Sequence, residues 1–249
     1  MRRLYVEGPL APGRVVILEG DAARRVTRVL RLRPGERLAL FDGSGTEAVA
    51  ELARVAPARV EAVVLSVQPG LPEPPVRITL CQSVVKGERF EWALEKGTEI
   101  GVARFVPLVA RRNVVRPGEG AKLERWRRIV IEAAEQCGRS AVPEVTAPAS
   151  LDDVLESLDG PAIVPYEGER ETGIAAALRA MGRPRALTIL IGPEGGFTPD
   201  EIERAMSRGA RPVSLGPRIL RSETAGIVAA ALALAVLGGL EPPGAPQGS

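Results

Sequence analysis

The chain has 249 residues, of which 45% are hydrophobic and 26% charged, and its formal net charge is +2. That suits one large packed domain, or a large domain with a smaller one beside it. There is no histidine and there are only two cysteines, Cys81 and Cys137, which leaves almost no room for a Cys/His zinc site and rules out imidazole as a general base.

No apolar run reaches the roughly 18–20 residues that a spanning helix needs. The most apolar stretch, "AGIVAAALALAVLGGL", is Ala-rich and reads as a buried helix. The start, "MRRLYVEGPL", lacks the apolar centre of a signal peptide. The expected location is the cytoplasm, with no membrane partner and no metal. All basic residues except Lys86, Lys96 and Lys122 are Arg. The planar guanidinium fork suits phosphate and base recognition, and a GC-rich genome explains the same bias equally well.

Residues 1–70 carry short β-like runs, "RVVILEG", "ERLALFDGSG", "TEAVAELARV" and "ARVEAVVLSV". Turn signals at Pro34-Gly35 and over Asp42–Gly45 separate them. Between the first two, "GDAARRVTRVLRLRPGE" reads as a short helix. The expectation is a small β-barrel with one helix. On that helix Arg24, Arg28 and Arg31 share a face opposite Val26, Val29 and Leu30. Such a face is either solvated or placed against phosphates, and the residues alone leave both open.

The stretch "QPGLPEPP" (Gln68–Pro75) breaks every period, and a linker is placed at 71–75. A second domain is expected over 76–240 and a flexible tail over 241–249. Its runs alternate in type. "VRITLCQSVV", "VARFVPLVA", "PAIVPYEG", "RALTILIG" and "RPVSLG" read as buried strands. "GERFEWALEKGTEIG", "KLERWRRIVIEAAEQCG", "ETGIAAALRAMG", "TPDEIERAMSRG" and "ETAGIVAAALALAVL" read as helices. The fold class is therefore α/β, with a parallel sheet covered by helices.

Ligands of such sheets bind beyond the carboxyl ends of the strands. Three loops leave such ends: "PYEGE" (Pro165–Glu169), "GPEGGF" (Gly192–Phe197) and "LGPRILRSETAG" (Leu215–Gly226). The helix after the second is well signalled, with Thr198 as N-cap, Pro199 in the first turn and Glu201 closing a capping box. Ser222 or Thr224 can cap the helix after the third. "GPEGGF" is neither a dinucleotide nor a triphosphate loop. Taken alone it is an ordinary strand-to-helix turn or a ligand cradle.

Together, "IGPEGGFTPDEIE", "LGPRILRSETA", "KGERFEWALEKGTEIGV", "IVIEAAEQCGR" and "RVLRLRPGE…LFDGSG" resemble the SPOUT class of S-adenosylmethionine-dependent RNA methyltransferases. More narrowly they are similar to the ribosomal RNA small-subunit methyltransferase E family, which methylates N3 of a uridine in 16S rRNA. The resemblance implies a deep C-terminal trefoil knot, an N-terminal PUA-like RNA-binding barrel and a homodimer. It implies 16S rRNA as partner, within the 30S subunit or a late assembly intermediate. The neighbouring possibilities are a SPOUT enzyme for tRNA or 23S rRNA, and a ribosome-assembly protein that binds RNA without catalysis.

The cofactor implied is S-adenosyl-L-methionine. Its adenine would be read by backbone groups of Leu190–Gly192, Leu215 and Ile219–Leu220, and sandwiched by the side chains of Ile191, Leu215, Ile219 and Leu220. Pro165, Tyr166, Pro193, Gly195, Gly196, Gly216, Arg218, Thr224 and Ala225 complete the implied cofactor contacts. Glu194, Arg221 and Glu223 are the implied catalytic residues, two carboxylates and an arginine for the uracil oxygens. Arg2, Arg3, Arg24, Arg25, Arg28, Arg31 and Arg112 are the implied RNA contacts. Arg111 and Arg116 are further candidates beside Arg112, and Gln136 and Arg139 for a site or interface role. The chain departs from similar sequences in three places. Arginines stand where they carry His near "RVLR", Asn113 follows Arg112 where they carry Ser, and Cys137 replaces Ser.

Overall fold

The computed structural model describes residues 1–113, 120–158 and 160–241. Arg116 and the expected tail from 242 onward lie outside the described residues. The chain forms two compact units, Met1–Pro72 with Ala134–Val142, and Glu73–Ala133 with Pro143–Ser249. Among the described residues no helix is long and apolar enough to cross a membrane.

The first unit is a five-stranded sheet built from β1 (Arg3–Tyr5), β2 (Val15–Glu19), β3 (Arg37–Phe41), β4 (Thr46–Ala56) and β5 (Arg59–Pro69), in the order β1-β3-β4-β5-β2. Strand alternation buries Val16 and Leu18 while Val15 and Ile17 face out. Leu4, Leu38, Leu40, Leu52, Val60 and Val64 fill the core.

The expected helix is α1 (Gly20–Arg24), and it runs on as a π-helical turn, Arg25–Val29. The Leu30 amide donates to the Arg25 carbonyl at 2.8 Å, five residues back. This wider turn rotates the residues beyond it. Val26 is fully buried, but Val29 is 72% exposed. Arg31 has left the helix at φ 52°. The expected face of Arg24, Arg28 and Arg31 therefore does not form: Arg24 and Arg28 remain on the exposed side, and Arg31 does not join them.

Residues 134–142 were expected in the second domain and group with the first unit. Side-chain chemistry explains this. The Glu135 carboxylate accepts the Tyr5 amide at 2.8 Å and pairs with Arg25. Arg3 pairs with Glu47, donates to the Arg139 carbonyl at 3.1 Å and to Ser140 Oγ at 3.0 Å, and lies 5.1 Å over the Phe41 ring.

The second unit holds a parallel sheet. Its strands are β6 (Arg77–Ser83), β7 (Arg104–Val109), β8 (Glu144–Val145), β9 (Ala149–Ser150), β10 (Ala162–Pro165), β11 (Ala186–Ile191) and β12 (Ala210–Val213). They run β12-β10-β11-β6-β7-β8, with β9 also on β7, and every pairing is parallel. All carboxyl ends therefore share one rim. The helices are α2 (Arg89–Ile100), α3 (Ala121–Cys137, whose last turn joins the first unit), α4 (Leu151–Glu156), α5 (Ile174–Ala180), α6 (Pro199–Ser207) and α7 (Ser222–Val236).

Register decides what faces what. Cys81 pairs with Leu190 and Gln82 with Ile191. Cys81 and Leu190 point into a core with Leu108, Val164 and Phe197. Burial pushes the Cys81 thiol up to about 12, so it is a small apolar filler and no nucleophile at neutral pH. Leu80, Gln82, Ile189 and Ile191 take the opposite face by alternation, the face covered by α7. Gly226 makes the close approach of α7 possible, since a Cβ there would strike the Gln82 amide oxygen.

Candidate functional site

Hydrogen bonds tie the exits of β6, β7 and β11 to one another on the rim of the second unit, and the exits of β10 and β12 to each other. The β11 exit turns at once. The Gly196 amide donates to the Pro193 carbonyl at 2.9 Å, and Gly196 itself has φ 67°. That left-handed geometry is where glycine is required. The helix α6 then starts as expected, with the Thr198 hydroxyl capping the Glu201 amide at 3.3 Å and the Glu201 carboxylate accepting the Thr198 amide at 2.8 Å. Glu201 does more than close the box. It is 2% exposed and its other oxygen accepts the Arg111 amide at 2.8 Å, fixing the β7 exit to the β11 exit. Arg112 comes next, and its guanidinium donates to the Gly195 carbonyl at 2.8 Å. Asn113 completes the turn, accepting the Ala110 amide and donating to the Val84 carbonyl, both at 3.0 Å.

Neither Ser222 nor Thr224 caps α7. The N-cap is Arg221, without a side-chain bond. Ser222 is buried and serves as a relay: Gln82 Nε2 donates to its hydroxyl at 2.9 Å, and the hydroxyl donates to the Gly192 carbonyl at 2.6 Å. The first turn of α7 is thereby tied to the end of β6 and to the mouth of β11. The β10 and β12 exits are joined too. The Ser214 amide donates to the Thr172 carbonyl at 2.8 Å, and the Ser214 carbonyl accepts the Ile174 amide at 3.0 Å.

Glu194 and Glu223 come together around one cation. Arg89, the first residue of α2, stands 3.8 Å from Glu194 and 3.8 Å from Glu223. Glu223 is buried, and its Oε2 has no hydrogen-bond partner among the described residues. Gln82 Oε1 and Ser83 Oγ are likewise buried and unpartnered there. Such groups are costly to bury unmet.

The expected site residues divide. Pro165 ends β10 half-buried, and the Tyr166 amide donates to the Val213 carbonyl at 3.0 Å. Gly192, Pro193, Glu194, Gly195 and Gly196 form the turn at the β11 exit. Gly216, Arg218 and Arg221 are exposed, and Leu215, Leu220, Thr224 and Ala225 half-buried. Ile191 is only 2% exposed and packs on the α7 side of the sheet, so its side chain does not line an adenine slot, although its backbone stays at the strand mouth. Leu190 is sunk in the core. Ile219 is 90% exposed and stands clear of any packed slot.

In the first unit, taken by itself, Arg28 and Arg31 are exposed, Arg24 pairs with Asp21, and Arg2 donates to the Leu30 carbonyl. Arg25 is half-exposed beside Glu135. Arg3 is engaged within the unit, with a side chain only 16% exposed. Sequence reasoning missed Gln82, Ser83, Arg89 and the relay role of Ser222. The visible signal was the polar pair Gln82-Ser83 ending an otherwise apolar strand run.

The residues present fit a nucleoside-type cofactor bearing a positive charge. The turn at Gly192–Gly196 brings three glycine backbones to the mouth of β11, and a buried acceptor oxygen of Glu223 is without a partner among the described residues. The model for an RNA methyltransferase domain matches residues 72–234, and that for an RNA methyltransferase PUA domain matches residues 18–65. The ribosomal RNA small subunit methyltransferase E of Bacillus subtilis is 33% identical over 221 residues, 85% of this chain and 86% of that protein. A methyltransferase from Legionella pneumophila, solved with bound S-adenosylmethionine, superposes with TM-score 0.86 at 35% identity, covering 94% of this chain and 96% of that one. The small subunit methyltransferase E of Neisseria gonorrhoeae, also bound to S-adenosylmethionine, gives TM-score 0.83 at 35% identity over 93% and 95%. With relatives matched along most of their length and the methyltransferase domain spanning the second unit, the chain belongs to the ribosomal RNA small subunit methyltransferase E family.

Proposed function

We propose that the protein transfers a methyl group from S-adenosylmethionine to N3 of a uridine in 16S rRNA. The observation that carries this reading is the convergence on one rim of the Gly192–Gly196 turn, the start of α7 and the two carboxylates Glu194 and Glu223. When bound, the cofactor supplies an electrophilic methyl on a positively charged sulfur. Backbone groups of Leu190–Gly192, Leu215 and Ile219–Leu220 hold its adenosyl part, with Pro165 and Tyr166 at the neighbouring exit. Uridine N3 carries a proton that must leave. In a chain without histidine a carboxylate, Glu194 or Glu223, takes it, and Arg221 balances charge on the uracil oxygens. Positioning supplies a further large share of the rate.

The protein works as a homodimer on the 30S subunit or a late assembly intermediate, in the cytoplasm. Residues 1–70 act as the RNA-binding barrel, 71–75 as linker and 76–240 as the SPOUT catalytic domain with its trefoil knot. The knot reading is supported by the path of the chain, which leaves β12 at the sheet edge, bonds to the β10 exit and returns to lay α7 on β6 and β11.

Phosphate contact from the first unit is assigned to Arg24, Arg25 and Arg28. Arg28→Ala is expected to weaken RNA binding at low salt and to reduce the slope of log K against log salt by about 1, as for the loss of one phosphate contact. Filter binding across a salt series reads this out. An unchanged slope removes Arg28 from the interface.

The reading is tested with methyl-labelled S-adenosylmethionine and four acceptors: 30S subunits, free 16S rRNA, 23S rRNA and tRNA. Label is expected in 16S rRNA alone, with 30S subunits the better acceptor. Label in tRNA or 23S rRNA would redirect the substrate. Cofactor binding without transfer to any acceptor would leave an RNA-binding assembly protein.

A further inference from the structure

Among the described residues, Arg89 is the cation that faces both site carboxylates, and the match is poor. Its Nη1 is 3.8 Å from Glu194 and its Nε 3.8 Å from Glu223. Charge-assisted hydrogen bonds run about 2.7–2.9 Å, so Arg89 balances charge without closing a bond to either. One guanidinium faces two carboxylates. Glu223, with a side chain 10% exposed, keeps a buried oxygen without a partner among the described residues. Glu194 accepts the Lys86 amide at a long 3.4 Å. Meanwhile Arg89 has a side chain 45% exposed at the start of α2, with solvent on its open side. A buried carboxylate beside an exposed one, so weakly compensated, has capacity for a second, closer positive charge.

We propose that Arg89 is an internal counter-ion which stands in the place of the cofactor's sulfonium between Glu194 and Glu223, and that it thereby selects the charged cofactor over its neutral product. This rests on the reading of the cofactor as S-adenosylmethionine. A charged ligand brings its own cation to the carboxylates and frees Arg89. After transfer the sulfur is a neutral thioether; once the proton taken from N3 has passed to solvent, the carboxylates take Arg89 back, and the product is held less tightly. Discrimination then depends on charge at the sulfur, because the adenosyl and amino-acid parts of the two ligands are the same.

The test is calorimetry of the full-length protein with S-adenosylmethionine and with S-adenosylhomocysteine, on wild type, Arg89→Ala, Arg89→Lys and Glu223→Gln. Each variant is checked for its melting temperature. Arg89→Ala is expected to tighten the charged ligand about tenfold and to leave the neutral one within about twofold. Glu223→Gln is expected to weaken the charged ligand selectively, and Arg89→Lys to keep the wild-type ratio. Equal weakening of both ligands by Arg89→Ala would overturn the proposal and make Arg89 a brace for the loops. Should Arg89→Ala fail to fold, an unchanged ligand ratio in Glu223→Gln overturns it. Absence of binding of either ligand to the wild type would instead refute the cofactor reading itself.

Discussion

Glu201→Ala is expected to destabilise the second unit by about 3 kcal/mol, combining a lost N-cap partner with orphaned donors at about 1–3 kcal/mol each. The Glu201 carboxylate accepts from the Thr198 amide and hydroxyl and from the Arg111 amide, in a position only 2% exposed. Alanine satisfies none of them, and water has no ready access. At about 2–4 °C per kcal/mol for a unit of this size, the melting temperature falls by roughly 6–12 °C. Circular dichroism on heating checks it. Glu201→Gln, which keeps one acceptor oxygen, should lose about half as much. An unchanged melt would mean that the β7 and β11 exits are held by packing alone.

Gly196→Val acts on binding more than on stability. Residue 196 sits at φ 67°, and an added Cβ meets the Glu167 carboxylate at 2.7 Å. The carboxylate is the end of a flexible side chain and can move, but a β-branched residue held at this φ would be strained by about 1–3 kcal/mol. The turn relaxes by shifting, and its backbone groups lose their alignment. Cofactor affinity is expected to drop about 10–100-fold by calorimetry, with a small change in melting temperature. Gly195 is the contrasting position. Its Cβ would reach only ordinary contact, 3.4 Å from Arg112 carbons. Gly195→Ala is therefore tolerated, and equal losses at 195 and 196 would show that sterics rather than backbone geometry govern the turn.

Much of the second unit was legible because its strands are continuous apolar runs and its helices carry local start signals. Thr198, Pro199 and Glu201 announced α6, and the structure builds the box they spelled. The short elements were not legible. β1 spans three residues and β8 and β9 two each, too few for any period to appear. α4 begins with a Ser150–Asp153 box, where the closing carboxylate is Asp rather than the usual Glu or Gln. The regular spacing of Arg24, Arg28 and Arg31 misled, because a π-helical turn shifts register and leaves no mark on an apolar pattern. The Gly192–Gly196 turn and the two carboxylates that Arg89 faces were visible as candidates from glycines and charge. Ser222 as relay and Arg89 as counter-ion were not, since each depends on partners far away in sequence, Gln82 and Gly192 for one, Glu194 and Glu223 for the other.

Digestion of 16S rRNA to nucleosides after reaction with methyl-labelled S-adenosylmethionine, followed by mass spectrometry, tests the central claim most directly. A single new product, N3-methyluridine at one position, is the result expected. A methyl on ribose or on a purine would contradict it.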